Sequence, residues 1–379
     1  MEKTYYKITN KKECHNGYQY SDGLNVLDKP FALEGSCVEG GLYFTTTEHI
    51  FKFLDYGCYL REITLPDNCQ WVKDPAGDKF RSDKIILGKK YDLSDPLTFQ
   101  MLIEVGADIH ADNDNALRYA STNGYPEIIK LLVEARADIY ADNDNALICA
   151  SREGHIEVVR LLIKIGANIH ACDNHALRSA STNGYPEIIK LLVEARADIH
   201  TDNDCALRWA STFGHLEVVQ LLINAGADIH AYDDYALRHA SETGYLKIVQ
   251  CLVEAGANIH AKNNRALVSA SDEGHLEIVQ YLVQAGANIH AKDNRALIWA
   301  SCEGHLQVVR FLIEKGANIH AQNNAALQLA SEDGHLQVVQ FLVETGADIH
   351  ANDNHALKMA SQNGHFEVVE YLNSKNDNK

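Results

Sequence analysis

Histidine is the residue type whose placement in this chain most invites chemistry. Nineteen occur in 379 residues, most of them in two registers that recur every 30 residues. His110, His170, His200, His230, His260, His290, His320 and His350 form one register; His155, His215, His275, His305, His335 and His365 form the other. Imidazole ligates metals and transfers protons near neutral pH. Zinc, however, needs donor atoms about 2 Å from the ion, whereas equivalent atoms of packed helical units stand about 10 Å apart. A ladder of identical histidines therefore cannot share one ion. The expected role is structural, the first register marking a turn where His, like Asn, adopts left-handed backbone.

The other candidate groups are sparse. Cys14, His15, Cys37, Cys58 and Cys69 lie near the N-terminus at spacings that match no zinc signature. A catalytic reading would recruit Cys14 and His15, or Glu48 and His49 with Asp74, Asp78 and Arg81, but no nucleotide-loop, nucleophile-elbow or metalloprotease motif accompanies them. Acidic clusters such as Asp112-Asn113-Asp114 read as turns and helix caps rather than calcium loops. No metal, no cofactor and no catalytic residue is expected. The net charge of −18 argues against nucleic acid as a partner. No apolar run approaches the ~18 residues of a membrane span. The polar start MEKTYYKITNKKE is no secretory signal, and the nine cysteines contain no Cys-x-x-Cys pair. A cytoplasmic, non-secreted monomer with reduced thiols follows as the expectation.

The elements that carry the histidines repeat without slippage. From residue 111 the chain repeats with a 30-residue period through nine units, the last one residue short, preceded by a half unit at 95–110. Each unit encodes two short helices. The first starts near an Asx pair such as Asn113-Asp114 and stops at a glycine such as Gly124. The second opens with Pro126 or Pro186 in some units, where a missing N–H costs nothing. It closes at a glycine such as Gly226, although Arg136 and Arg196 take that place in two units, at about 1 kcal/mol each if left-handed. One helix pair cannot bury its own apolar face, so the units must stack as a solenoid. Residues 1–92 differ. TYYKIT, GLYFTT, YLREITLP and KIILGKKYDL read as strands, and a helix from Thr47 through Leu54 buries Ile50, Phe51, Phe53 and Leu54. The expected architecture is mainly α: a solenoid over 93–379 with a small α+β head over 1–92, packed on the half unit.

The run GHLEVVQLLINAGADIHA (214–231) resembles the second helix and finger of an ankyrin repeat, and ALRWAS (206–211) resembles its first helix. The units are three residues short of the usual 33, the deficit falling in the finger, and the second Ala of the Ala-Ala pair is Ser throughout. The whole chain is similar to the ankyrin-repeat proteins encoded by mimivirus-like giant DNA viruses. The resemblance implies a stack of helix pairs that binds proteins, host or viral.

The repeats themselves locate a binding surface. Ala116, Leu117, Ala120, Ser121 and Gly124 share one face of the first helix at 100° per residue and are identical in every full unit, so they pack. Positions 115, 118, 119, 122 and 123 vary. Among them are Arg118, Tyr119, Arg178, Arg208, Trp209, Phe213, Arg238 and Trp299, residue types that dominate interface energies. The later units are acidic instead, at Glu273, Glu303, Glu332 and Asp333. This face, the concave groove of ankyrin stacks, is the expected protein-binding site. The alternative is an enzymatic or toxin-like head delivered by the repeats.

Overall fold

The computed structural model describes residues 4–376 apart from 16, 36, 37 and 76. The chain forms two compact bodies: Met1–Ser179 with Glu194–Ala197, and Ala180–Val193 with Asp198–Lys379.

The first body begins with an antiparallel sheet. Its strands are β1 (Tyr5–Thr9), β4 (Gly23–Val26), β5 (Leu42–Thr46), β6 (Tyr59–Thr64), β7 (Trp71–Lys73), β8 (Lys79–Ser82) and β9 (Lys84–Asp92), in the order β4-β9-β6-β1-β5-β8-β7. The short strands β2 (Cys14–His15) and β3 (Tyr18–Gln19) pair separately. Tyr20, Leu42, Phe44, Ile63, Phe80, Ile85 and Leu87 make a core cluster of the sheet. Arg81 and Asp74 are both buried, with Nη1 and Oδ2 3.6 Å apart. The Arg81 guanidinium donates to the carbonyls of Ala32 and Gly35 at 2.8 and 2.6 Å.

The helix expected from Thr47 is a 3₁₀ helix, Thr47–Tyr56, that buries Ile50, Phe51 and Leu54. Phe53 departs from the expectation and stays half-buried. The buried face packs on the repeats. Phe51 stacks on Phe99 of the half repeat, the Phe51 carbonyl accepts from Asn115 Nδ2 at 2.8 Å, and the Glu48 carbonyl accepts from the Asp108 N–H at 3.2 Å. The half repeat supplies only a second helix, Pro96–Glu104, capped by Asp95. The 3₁₀ helix covers the first helix of the following repeat, as a preceding first helix would.

In both bodies the repeats are helix pairs with first helices packed on first helices and second on second. The invariant face is buried: Ala116, Ala120 and Ser121 are sealed from solvent, with Leu117 nearly so. Arg136 and Arg196 do adopt positive φ, 78° and 74°. Gly124, at φ 74°, is required twice over, because a Cβ there would meet the His155 ring at 2.6 Å.

The finger differs from expectation. His110 has φ −91° and ψ 1°, so it is not left-handed. The left-handed residues are the next three but one: Asp112, Asn113 and Asp114, all near φ 55°. The same triplet recurs in each full repeat, as at Asp202-Asn203-Asp204 and Lys262-Asn263-Asn264. Three such residues in succession are costly for most side chains, and Asn and Asp bear that cost best. The third side chain reaches the next finger. Asp114 Oδ1 accepts from the Asp138 N–H of the next finger at 2.8 Å, and Asp204 serves Asp228 likewise at 2.8 Å. His110 Nδ1 sits 3.2 Å from the same Asp114 oxygen. The second histidine register also joins repeats: His155 Nε2 donates to the Thr122 carbonyl at 2.9 Å.

Candidate functional site on the first-helix face

Left-handed turns leave carbonyls in need of donors, and the arginine register supplies them. Arg208 Nε donates to the Asn203 carbonyl at 2.9 Å and Nη2 to the Asp202 carbonyl at 2.7 Å. Arg238 repeats this with Asp233 and Tyr232, at 2.9 and 3.0 Å. In the first body, Arg178 Nη2 reaches the Cys172 carbonyl at 3.1 Å. Gln328 does the same for Asn323 at 2.6 Å. Three residues expected to lie on a surface free of folding duty, Arg178, Arg208 and Arg238, are thus first staples of their own fingers. Arg208 is only 8% exposed.

The aromatic residues beside these staples form a continuous strip in the second body. Trp209 stacks on Phe213 with centroids 6.1 Å apart and meets the edge of Tyr235 at 6.5 Å. Tyr235 stacks on His239 at 3.9 Å and meets Tyr232 at 6.1 Å. The Arg208 guanidinium lies 5.4 Å from the Tyr232 ring and 5.1 Å from the Tyr235 ring, with Arg238 5.6 Å from the latter. His239 Nδ1 is 3.2 Å from Glu242, yet burial, with the charges of Arg238, Arg265 and Arg208, holds its pKa below the ordinary imidazole value. Two arginines flank the strip, and three of its aromatic side chains reach solvent. Trp209 is 36% exposed, Phe213 48% and Tyr232 62%.

Known sequences identify the frame that carries this strip. Models of the ankyrin repeat match residues 92–173, 170–233, 237–323 and 297–379, and a second ankyrin-repeat model matches 207–265. The chain belongs to the ankyrin-repeat family. Ankyrin repeat protein R868 of Acanthamoeba polyphaga mimivirus is 47% identical over 133 residues, 34% of this chain and 65% of its own length. Ankyrin repeat protein R229 of the same virus is 41% identical over 143 residues, 34% of this chain and 47% of its own length. The uncharacterised mimivirus protein R869 is 44% identical over 131 residues, 34% of this chain and 95% of its own length. The matched regions thus span 65% and 47% of the two named ankyrin relatives.

Within this ankyrin chain the remaining expected site residues divide. Tyr119 is buried, 6% exposed, and stacks on Phe99 at 6.3 Å; it is core, a correction to its expected place in the groove. Arg118 Nη2 is engaged by Asp55 of the head at 3.0 Å, and its Nε by Asn115 at 3.0 Å. Trp299 is half-buried beside Arg295, whose guanidinium lies 5.7 Å from the ring. Tyr232 and Tyr235 were not anticipated. Tyr235 occupies the variable position 115 of its repeat, a signal available in the sequence; Tyr232 sits in the left-handed finger, where nothing local marks it. Among the described residues no group of three or more His, Cys, Asp or Glu could hold a metal ion, and no helix is long and apolar enough to cross a membrane. Cys37 lies outside the described residues.

Proposed function

We propose that the chain is a protein-interaction scaffold that holds a host or viral protein on the first-helix face of its ankyrin stack, anchored on Trp209 and Phe213. The supporting observation is the exposure of these two stacked rings at positions where folding does not call for them. Every other full repeat has Asn, Glu, Thr or Asp where Phe213 stands. Large aromatic side chains held rigid by neighbours lose little entropy on binding and supply the anchors of interfaces. The exposed carboxylates of Glu273, Glu303 and Asp333 would meet a basic stretch of the same partner and favour one polarity of binding. In this reading the head, residues 1–92, is a distinct unit that ends the repeat array, and the protein acts as a monomer in the cytoplasm, without enzymatic activity.

The test compares full-length protein with Trp209→Ala/Phe213→Ala in capture from host-cell lysate, followed by affinity measurement on the captured partner. The double variant weakens that affinity at least ~30-fold, about 2 kcal/mol, with an unchanged melting curve. Lys130→Ala, on a second helix, binds normally. Arg208 is left intact because it staples its own finger. Undiminished capture of every partner by the double variant overturns the reading.

A further inference from the structure

The residue just past each first helix stands at one register, 30 residues apart. In the second body this register runs Phe213, Thr243, Glu273, Glu303 and Asp333. Phe213 is the ring stacked on Trp209. Glu273, Glu303 and Asp333 are exposed, and the half-buried Asp272 and Glu332 precede the first and last of them. Acidic surface is ordinary in a protein of net charge −18. What sets this row apart is that it continues, repeat by repeat, from the aromatic stack.

The carboxylates are also badly placed for folding. The last carbonyls of a helix carry partial negative charge, so a helix C-terminus favours a cation over a carboxylate. Three successive repeats put a carboxylate there. Among the described residues none of Asp272, Glu273, Glu303, Glu332 and Asp333 is ion-paired. Burial and the charges of Glu303, Glu273 and Glu242 hold the Asp272 carboxyl above the usual carboxylate range, and Arg265, two turns earlier on the same helix, offsets them only in part. Asp333 Oδ2 accepts from the Cys302 thiol at 3.2 Å, so side chains of neighbouring repeats meet along the row. A bound cation would relieve both the mutual repulsion and the unfavourable helix ends.

The spacing limits what can supply those cations. Packed helices stand about 10 Å apart, and an extended chain advances about 3.3 Å per residue. Three residues of extended chain therefore match one repeat. A helix would need about 27 residues to cover the four steps from Phe213 to Asp333, more than twice the mean helix length.

We propose that the partner docks through an extended basic segment, with one large apolar side chain on Trp209 and Phe213 and a Lys or Arg six, nine and twelve residues from it, opposite Glu273, Glu303 and Asp333. This rests on the scaffold reading above and specifies the partner's chemistry. An acidic segment would be repelled by the row. A second copy of this chain brings the same net charge and is disfavoured.

Fluorescence anisotropy of the full chain with labelled, serine-rich peptides tests this. One peptide has Leu followed by Lys six, nine and twelve residues later. A second has the same order reversed, because the row does not fix chain direction. A third has the three Lys adjacent to one another, and a fourth has Glu in place of Lys. One of the two in-register peptides binds saturably, at least about tenfold more tightly than the third or fourth. Glu273→Gln/Glu303→Gln/Asp333→Asn weakens it at least about tenfold and flattens its salt dependence, with unchanged circular dichroism. Trp209→Ala/Phe213→Ala weakens it as well. Absence of saturable binding by both in-register peptides overturns the proposal, as does equal binding of the clustered peptide or full affinity in either variant. If the aromatic variant loses its partner from lysate while the carboxylate variant captures it normally, the basic segment is overturned and the aromatic anchor stands.

Discussion

The Phe51 ring lies 5.5 Å from the Phe99 ring at an interplanar angle of 13°, and both side chains are fully buried. One belongs to the head and the other to the half repeat, so the two share a core within the first body. Phe51→Ala is expected to cost about 3–5 kcal/mol. Hydrogen exchange should then accelerate in the 95–123 segment as well as in the head. Acceleration confined to residues before 93 would show that the two regions do not stabilise one another.

Asp204 Oδ1 accepts the Asp228 N–H at 2.8 Å and lies 3.1 Å from His200 Nδ1. Asn264 performs the same service for Asn288 at 2.8 Å, so an uncharged amide suffices. Asp204→Asn should be nearly neutral in urea denaturation. Asp204→Ala should lose about 1–3 kcal/mol, because it leaves a backbone N–H unpaired and places alanine at a left-handed position. Equal effects of the two changes would remove the inter-repeat hydrogen bond from the account of stability.

Arg136 and Arg196 hold φ of 78° and 74° where other repeats have glycine, as at Gly226 with φ 97°. Substituting Gly relieves the Cβ clash of the left-handed backbone but frees the unfolded chain, so the net gain is about 0.5 kcal/mol each. Thermal melts of Arg136→Gly and Arg196→Gly should shift upward. A downward shift would mean that the arginine side chains make contacts worth more than the strain.

Lys7 has a pKa lowered to about 7 by burial, against 10.5 ordinarily. Below pH 7 the folded state must hold the charge in a poor environment. Between pH 7 and 10.5 the unfolded chain binds the proton and the folded chain does not, so this group's contribution to stability rises with pH across that window. Lys7→Met should therefore stabilise the protein more at pH 6 than at pH 9, by on the order of 2 kcal/mol. A gain independent of pH would show that the amine is charged, or neutral, throughout.

What the sequence determined alone was whatever repeats. Ala116, Leu117, Ala120 and Ser121 recur at helical spacing, and recurrence at helical spacing is enough to locate a helix, its buried face and its need for a neighbour. The glycines that end the helices were legible for the same reason, and so was the strain at Arg136 and Arg196, which occupy a glycine's place. The variable face containing Trp209 and Phe213 was found by subtraction from the constant one. Tertiary structure decided the rest. Arg208 looks like a free interface residue because nothing local shows that three left-handed residues turn carbonyls toward it. The third of those residues bonds a finger 24 residues onward, at Asp204 and Asp228, a separation no helical period reports. Tyr119 went into the core because Phe99 reaches it, and Asn115 was recruited by Phe51, 64 residues earlier. A cleft lined by Lys7 opens in the head because β1 and β5 stop pairing after two residue pairs. Register between strands distant in sequence is set by the packing of the whole sheet, so neither strand announces the gap by itself.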